Sequence, residues 1–324
     1  MPPERRARSQ LYSAVLAPPM CSAPVGDGAK RTLIASMLIG AHVSTSGGLV
    51  RAFERGADWG CGAIQIFHQN PRMWRPTAWK DEDIAGFRER LAEGPVSAVV
   101  IHAVYLINCA SKDPVIRGKS LASLVHALRL GDAIGARGVV LHPGSQVGEP
   151  WEEAMERAGD ALREALAESG RCPLLLENTA GAGGTLGRSF EELARLVEVG
   201  GSDERLGICL DCAHMLASGF DITTAPKLGE VIDRCVEVVG LERLGCLHVN
   251  DSQIPLGGNR DRHANIPDGE LGPEGIAAFL SEPRFEDLPT ILETPGPDGK
   301  GAGPGQVAIA RELRARGLAE RLGH

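Results

Sequence analysis

The chain has 324 residues, 43% of them hydrophobic and 23% charged, enough for a sizeable core in one large domain or two ordinary ones. Its net charge is −8; residues 1–36 carry +3, so residues 37–324 hold −11, a balance that by itself argues against a polyanionic partner. No apolar run approaches the roughly 18 residues of a membrane helix, and glycine and proline lack the period of a collagen-like chain.

Residues 1–36 read as a disordered N-terminal tail without a part in the chemistry. The opening stretch is Arg-rich, but its apolar run is short and ends in Pro18 and Pro19, unlike a secretory signal. A transit peptide would look similar, so organelle targeting stays open. Cysteines occur at 21, 61, 109, 172, 209, 212, 235 and 246. In a long chain without a signal peptide they point to reduced thiols and a cytoplasmic setting.

From Leu38 onward, short apolar runs recur every 25 to 45 residues. They are Leu38–His42, Ala63–Phe67, Val96–His102, Gly138–His142, Pro173–Glu177, Leu206–Asp211, Leu244–His248 and Pro289–Glu293. Continuous rather than alternating, they predict parallel strands covered on both faces. Helical stripes fall between them: Ile84, Phe87 and Leu91; Leu121, Leu124, Val125 and Leu128; and Phe190, Leu193, Leu196 and Val197. Ser189 with Glu192 three residues on reads as a capping box before the third stripe, and Gln306–Leu318 reads as the last helix. Eight strand-then-helix units predict an α/β fold, a (β/α)8 TIM barrel, forming a single domain after residue 36.

Seven of the eight runs end in a side chain able to bind metal: His42, His102, His142, Glu177, Asp211, His248 and Glu293. Strand C-termini of a barrel converge on one mouth, so residues distant in sequence meet there. His214, three residues after Asp211, and Asp261 with His263 lie just beyond strands six and seven. The pattern predicts a multi-metal site.

Other motifs carry less. Cys209 and Cys212 beside His214 look like half a zinc knuckle but lack a second ligand pair, and both read as small core residues. The glycine-rich Gly181–Gly187 matches no phosphate-binding spacing, and no GxSxG elbow occurs. Arg72, Trp74 and Arg75 form a basic and aromatic loop after strand two, in which Trp74 suits base stacking or helix packing equally.

Six segments taken together resemble the endonuclease IV family, the type 2 apurinic/apyrimidinic endonucleases: HAVYLIN (102–108), LHPGS (141–145), ENTAGAGGTLG (177–187), GICLDCAH (207–214), LHVNDS (247–252) and DRH (261–263). The likeness runs from Gly40 to Glu293 and identifies residues 37–324 as an endonuclease domain of that type. It implies a hydrolase of base excision repair that cleaves duplex DNA on the 5′ side of abasic sites. The products would be a 3′-hydroxyl and a 5′-deoxyribose phosphate, with removal of 3′-blocking groups as a further activity. Duplex DNA with abasic or 3′-blocked lesions would be the partner; no membrane is expected, and the chain would act as a monomer on the nucleoid of a bacterial-type cytoplasm.

The resemblance further implies three Zn²⁺ per chain, with Mn²⁺ as an alternative at one position. His102 and His142 would hold the first ion with Glu177, which bridges to a second completed by Asp211, His248 and Glu293. His214, Asp261 and His263 would hold the third. Three divalent ions would raise residues 37–324 from −11 to −5. Glu177 and Glu293 would orient or deprotonate the attacking water, and Arg72, Tyr105 and Leu106 would enter the base stack.

Five positions depart from the family pattern: Val104, Cys212 and Ala213 where Thr-Cys is usual, Gln253 and Gly258. None is an implied ligand, but Gln253 replaces a Lys and removes a positive charge from the loop leading to Asp261. Two other readings compete. A sugar isomerase or epimerase on a two-metal barrel shares the strand-end ligands but leaves the His214, Asp261 and His263 set without a role. A catalytically silent lesion-binding protein is the third.

Overall fold

The computed structural model describes residues 37–323, and the segment read above as a tail lies outside the described residues. All eight apolar runs form strands: β1 (Leu38–His42), β2 (Ala63–Phe67), β3 (Ala98–His102), β4 (Val139–Leu141), β5 (Leu174–Glu177), β6 (Leu206–Asp211), β7 (Leu244–His248) and β10 (Pro289–Leu292). They pair in parallel in chain order, and β10 closes on β1, giving an eight-stranded barrel. Two short strands, β8 (Asp251–Ser252) and β9 (His263–Ala264), form an antiparallel hairpin after β7. The ladders stop one residue short of His142 and Glu293, whose side chains line the mouth instead.

Helices α1 (Leu49–Asp58), α2 (Asp81–Glu93), α3 (Pro114–Ile134), α4 (Trp151–Ala167), α5 (Phe190–Val199), α7 (Ala225–Val238), α8 (Gly272–Ser281) and α9 (Gly303–Leu322) cover the barrel. Each anticipated stripe lies on a helix, and α9 extends the expected last helix at both ends. Ser189 caps α5 by accepting from the Glu192 amide at 3.3 Å. The reciprocal half of the box is displaced, because Glu192 Oε2 accepts from Gly187 and Arg188 N–H instead. One helix was not anticipated: α6 (Cys212–Ser218) starts directly at the end of β6. Asp211 Oδ1 caps it, accepting from His214 N–H at 2.8 Å.

Side chains alternate strictly along each strand. Ile64, Ile66, Val99, Ile101, Leu174, Leu176, Ile208 and Leu210 join the outer core under the helices. Ala63, Val100, Val140, Leu175, Cys209, Cys246 and Ile291 fill the barrel interior. The next inward position on those strands is the mouth layer, and there the polar residues lie. No helix among the described residues is long and apolar enough to cross a membrane, and the seven cysteines among them are buried and free.

Closure is tightest at Gly40 on β1. A Cβ built there lies 1.6 Å from the carbonyl oxygen of Ala63 on β2, a backbone atom that cannot move without breaking the ladder. Gly40→Ala is expected to cost about 3 kcal/mol or more of stability through overpacking. Urea unfolding checks this, with a midpoint equal to that of the wild type as the contrary result.

Candidate metal centre

Glu177 ends β5 facing inward, and its carboxylate has no solvent exposure. Four imidazoles surround it. Oε2 lies 3.3 Å from His102 Nε2 and 2.9 Å from His142 Nε2, while Oε1 lies 3.0 Å from His248 Nδ1 and 3.3 Å from His214 Nδ1. His248 Nδ1 also faces Glu293 Oε2 at 3.2 Å and Asp211 Oδ2 at 4.0 Å. On the far side, Asp261 reaches His214 Nε2 at 3.2 Å and His263 Nε2 at 3.3 Å. The nine side chains expected at the mouth therefore meet there.

Four overlapping groupings within the cluster have ligand atoms close enough for one ion: His102, His142 and Glu177; His102, His248 and Glu293; Glu177, Asp211, His248 and Glu293; and Asp211, His214 and His263. They share members, so the positions are contiguous. His42, also at a strand end, joins none of these; its Nδ1 lies 3.2 Å from the Gln65 amide. Cys209 and Cys246, neighbours on β6 and β7, lie within ligand distance of His248 but are sealed in the barrel interior. Sequence reasoning did not pair them, because adjacency of two strands is not written in their spacing.

The hydrogen bonds test whether cations suit the cluster. His102 Nδ1 donates to the Ala103 carbonyl at 2.6 Å and His214 Nδ1 to the Asn178 carbonyl at 3.0 Å, so His102 Nε2 turns toward Glu177 and His214 Nε2 toward Asp261. Such anchoring fixes the tautomer of a metal-ligating imidazole. His214 Nε2 and His263 Nε2 are buried and, despite their closeness to Asp261, make no aligned hydrogen bond. Two ring nitrogens and the Asp261 carboxylate converge there without an aligned hydrogen bond, an arrangement that a cation would satisfy. The donors are imidazoles and carboxylates, a set that suits Zn²⁺ or Mn²⁺.

Electrostatics agree. Burial opposes ionisation of Glu177, yet His142, His248 and His102 outweigh it and hold the carboxyl well below its usual range. Burial likewise opposes the charged forms of His214 and His248; Asp211 and Asp261 raise the first well above 6.5, and Glu293 and Glu177 raise the second. Glu293 is held at about 2, because His248 and His102 prevail over its burial.

Asn250 and Asn178 brace the ring. Asn250 Nδ2 donates to Asp211 Oδ2 at 2.7 Å and its Oδ1 accepts from Glu293 N–H, while Asn178 Oδ1 accepts from Asp211 N–H at 2.6 Å. Gln253 acts as a clamp: its Nε2 donates to the His263 carbonyl at 2.8 Å, holding the hairpin that carries His263.

A cavity of 480 Å³ lies over the cluster, lined by Tyr105, His142, Asp261, Arg262 and Glu293 among others. It adjoins a groove of 1150 Å³ that Tyr105 and Glu293 also line, with Arg55, Arg72, Trp79 and Lys300 along its length. Tyr105 is 67% exposed and stands edge-on against Phe67 at 5.3 Å. Leu106 and Trp74 are half-buried against the core, and for Trp74 this favours the packing role.

Comparisons with known proteins agree with the geometry. A family model described as a xylose isomerase-like TIM barrel matches residues 53–316. A Geotalea daltonii protein named "Probable endonuclease 4" is 39% identical over 279 residues, covering 85% of this chain and 97% of that protein. One of the same name from Solibacter usitatus is 41% identical over 266 residues, covering 80% and 91%. The crystal structure of endonuclease IV from Thermus thermophilus superposes with a TM-score of 0.73 at 39% identity, covering 87% of this chain and 99% of that one. A D-tagatose 3-epimerase-like protein, 19% identical with a TM-score of 0.65, shares the fold alone.

The shifted groups bound the stability of the metal-free protein. Glu293 contributes fully above its unfolded value of 4.5 and loses that contribution as pH falls toward about 2. His214 and His248 contribute fully below 6.5 and lose it as pH rises through their raised values. Chelator-treated protein is expected to melt highest between about pH 4.5 and 6.5 and at falling temperatures above that, while zinc-loaded protein holds its melting temperature toward pH 8. A metal-free melting temperature flat from about pH 6 to 9 contradicts this expectation.

Proposed function

The chain belongs to the endonuclease IV family of xylose isomerase-like TIM barrels, and on that premise we propose that it is a zinc-dependent deoxyribonuclease of base excision repair. Its reaction is hydrolysis of the phosphodiester 5′ to an abasic site in duplex DNA, with 3′-blocked ends as further substrates. The observation that carries this reading is that a grouping of Asp211, His214 and His263 lies at the same mouth beside the groupings built on Glu177 and Glu293. Two-metal sugar chemistry needs no third group, and His214, Asp261 and His263 supply one.

His102, His142 and Glu177 would hold one ion; Glu177, Asp211, His248 and Glu293 a second; and His214, Asp261 and His263 a third, with Asp211 within reach of it. Ions held there supply Lewis acidity, lowering the pKa of water and offsetting phosphoryl charge. Of the two carboxylates expected to handle the water, Glu293 faces the cavity, whereas Glu177 is enclosed by imidazoles. Glu293 therefore accepts a hydrogen bond from the water and aims it at phosphorus, and Glu177 holds the cluster together from within. Ionised far below neutrality, Glu293 keeps this acceptor role across the physiological range. Hydrolysis by water needs no covalent enzyme intermediate.

Tyr105, edge-on against Phe67 and exposed beside the cavity, suits filling the gap left by a missing base. Arg72, exposed along the groove, has no ion-pair partner among the described residues and is available to the strand; Leu106, next to Tyr105 in the chain, is half-buried against the core. Net negative charge does not oppose this, because the carboxylates of the mouth are the ones that cations neutralise where the phosphate sits.

Zinc-loaded protein is expected to nick a duplex carrying one tetrahydrofuran abasic analogue on the 5′ side of the lesion, with chelation abolishing the nick and zinc restoring it. No cleavage at full zinc loading contradicts the reading, and two ions per chain rather than three favours sugar chemistry. Tyr105→Ala is expected to raise KM for that duplex about tenfold through lost stacking, with metal content unchanged.

A further inference from the structure

Among the eight apolar runs the one that forms β2, AIQIF, ends in Phe67 rather than in a potential ligand, yet its inward face carries a polar side chain. In AIQIF, Gln65 stands between Ala63 and Phe67 on the barrel side, fully buried. An uncharged amide there makes three contacts. Oε1 lies 2.8 Å from His248 Nε2, and Nε2 lies 2.6 Å from Glu293 Oε1 and 3.2 Å from His42 Nδ1.

The three contacts fix one arrangement of protons. A flipped amide would put its oxygen against the Glu293 carboxylate, so Nε2 must donate to Glu293 and Oε1 must accept from His248. The His248 proton therefore resides on Nε2, and Nδ1 is left facing Glu177, Glu293 and Asp211. Glu293 Oε1 is occupied by the amide, and Oε2 is the oxygen turned toward His248. His42 accepts the second amide hydrogen through Nδ1, which keeps its ring out of the ligand set.

We infer that Gln65 is a positioning residue of the metal centre, one amide that orients His248 and Glu293 at once for the cation they share with Glu177 and Asp211. It touches neither the cavity nor the groove; its action passes through those two side chains. The inference rests on the metal centre of the proposed nuclease but not on DNA cleavage. Loss of such an outer partner typically lowers metal affinity or activity about 10–100-fold.

The test compares wild type with Gln65→Met, which keeps length but has no hydrogen-bonding group, and Gln65→Glu, which keeps the acceptor for His248 but sets a carboxylate against Glu293. Each protein is stripped of metal, and zinc affinity is measured by competition with a chromophoric chelator. Visible spectra of the cobalt(II)-substituted forms and melting of the metal-free forms are recorded alongside. For Gln65→Met the weakest zinc affinity is expected to fall about 10–100-fold with an altered cobalt spectrum, and kcat to fall while KM for an abasic duplex stays within about twofold. Gln65→Glu is expected to weaken zinc as well, through Glu293. A lowered metal-free melting temperature with zinc affinity and cobalt spectrum unchanged marks a merely structural amide and overturns the inference. If Gln65→Met does not fold, unaltered zinc affinity in Gln65→Glu overturns it equally. Because zinc affinity is read without DNA, failure of the wild type to nick would count against the nuclease and leave this result standing.

Discussion

A carboxylate stays ionised in a buried site only with positive charge beside it, and Glu177 is buried completely. Four imidazole nitrogens stand within 3.3 Å of its two oxygens, closer than lone pairs tolerate unless protons or cations lie between. Without metal, extra protons on His102, His214 and His248 fill that need, which is why their pKa values rise. The Ala103 carbonyl holds one ring proton of His102 away from the centre, whereas His214 points Nδ1 at the Asn178 carbonyl beside Glu177 and turns Nε2 toward Asp261. What remains inside is a set of inward nitrogens and carboxylate oxygens whose natural occupants are metal ions, so metal and proton compete for one place.

The barrel makes this possible by separating two tasks. Its outward-facing strand residues bind the helices, and its lower interior is filled by small and branched side chains. Only the inward position nearest each C-terminal end is left for chemistry. Residues of β3, β5, β6 and β7, together with the loops after β4, β7 and β10, thus meet at one rim without disturbing the core beneath. The α6 helix serves the same end: Asp211 ends a strand, caps a helix and fixes His214 on its first turn. Gln253 and Asn250 hold the hairpin and Glu293 against that rim.

Much of this was legible in the chain. Regular apolar runs predicted the parallel barrel, and the rule that strand ends converge predicted that side chains from His102 to Glu293 would meet. Less was legible where neighbours decide. Cys209 and Cys246 face each other only because β6 and β7 pair in a particular register. The α6 helix was hidden because Cys212–Ser218 is too short for a periodic signal, although Asp211 was a readable cap. Gln65 is not legible from strand ends, because β2 places its polar group two positions before its last residue. A lone amide inside an apolar pentapeptide was the signal. Trp74 could have faced base or core, and only packing decides.

The most direct test of the central claim is anomalous diffraction at the zinc edge from crystals of the zinc-loaded protein. Three peaks are predicted within one cluster at the barrel mouth. Their ligands would be the imidazoles of His102, His142, His214, His248 and His263 and the carboxylates of Glu177, Asp211, Asp261 and Glu293, at about 2.0–2.2 Å. The peak on His102 and His142 and the peak on His248 and Glu293 would share Glu177. A single peak, or peaks on separate parts of the surface with Glu177 bound to none, would contradict the account.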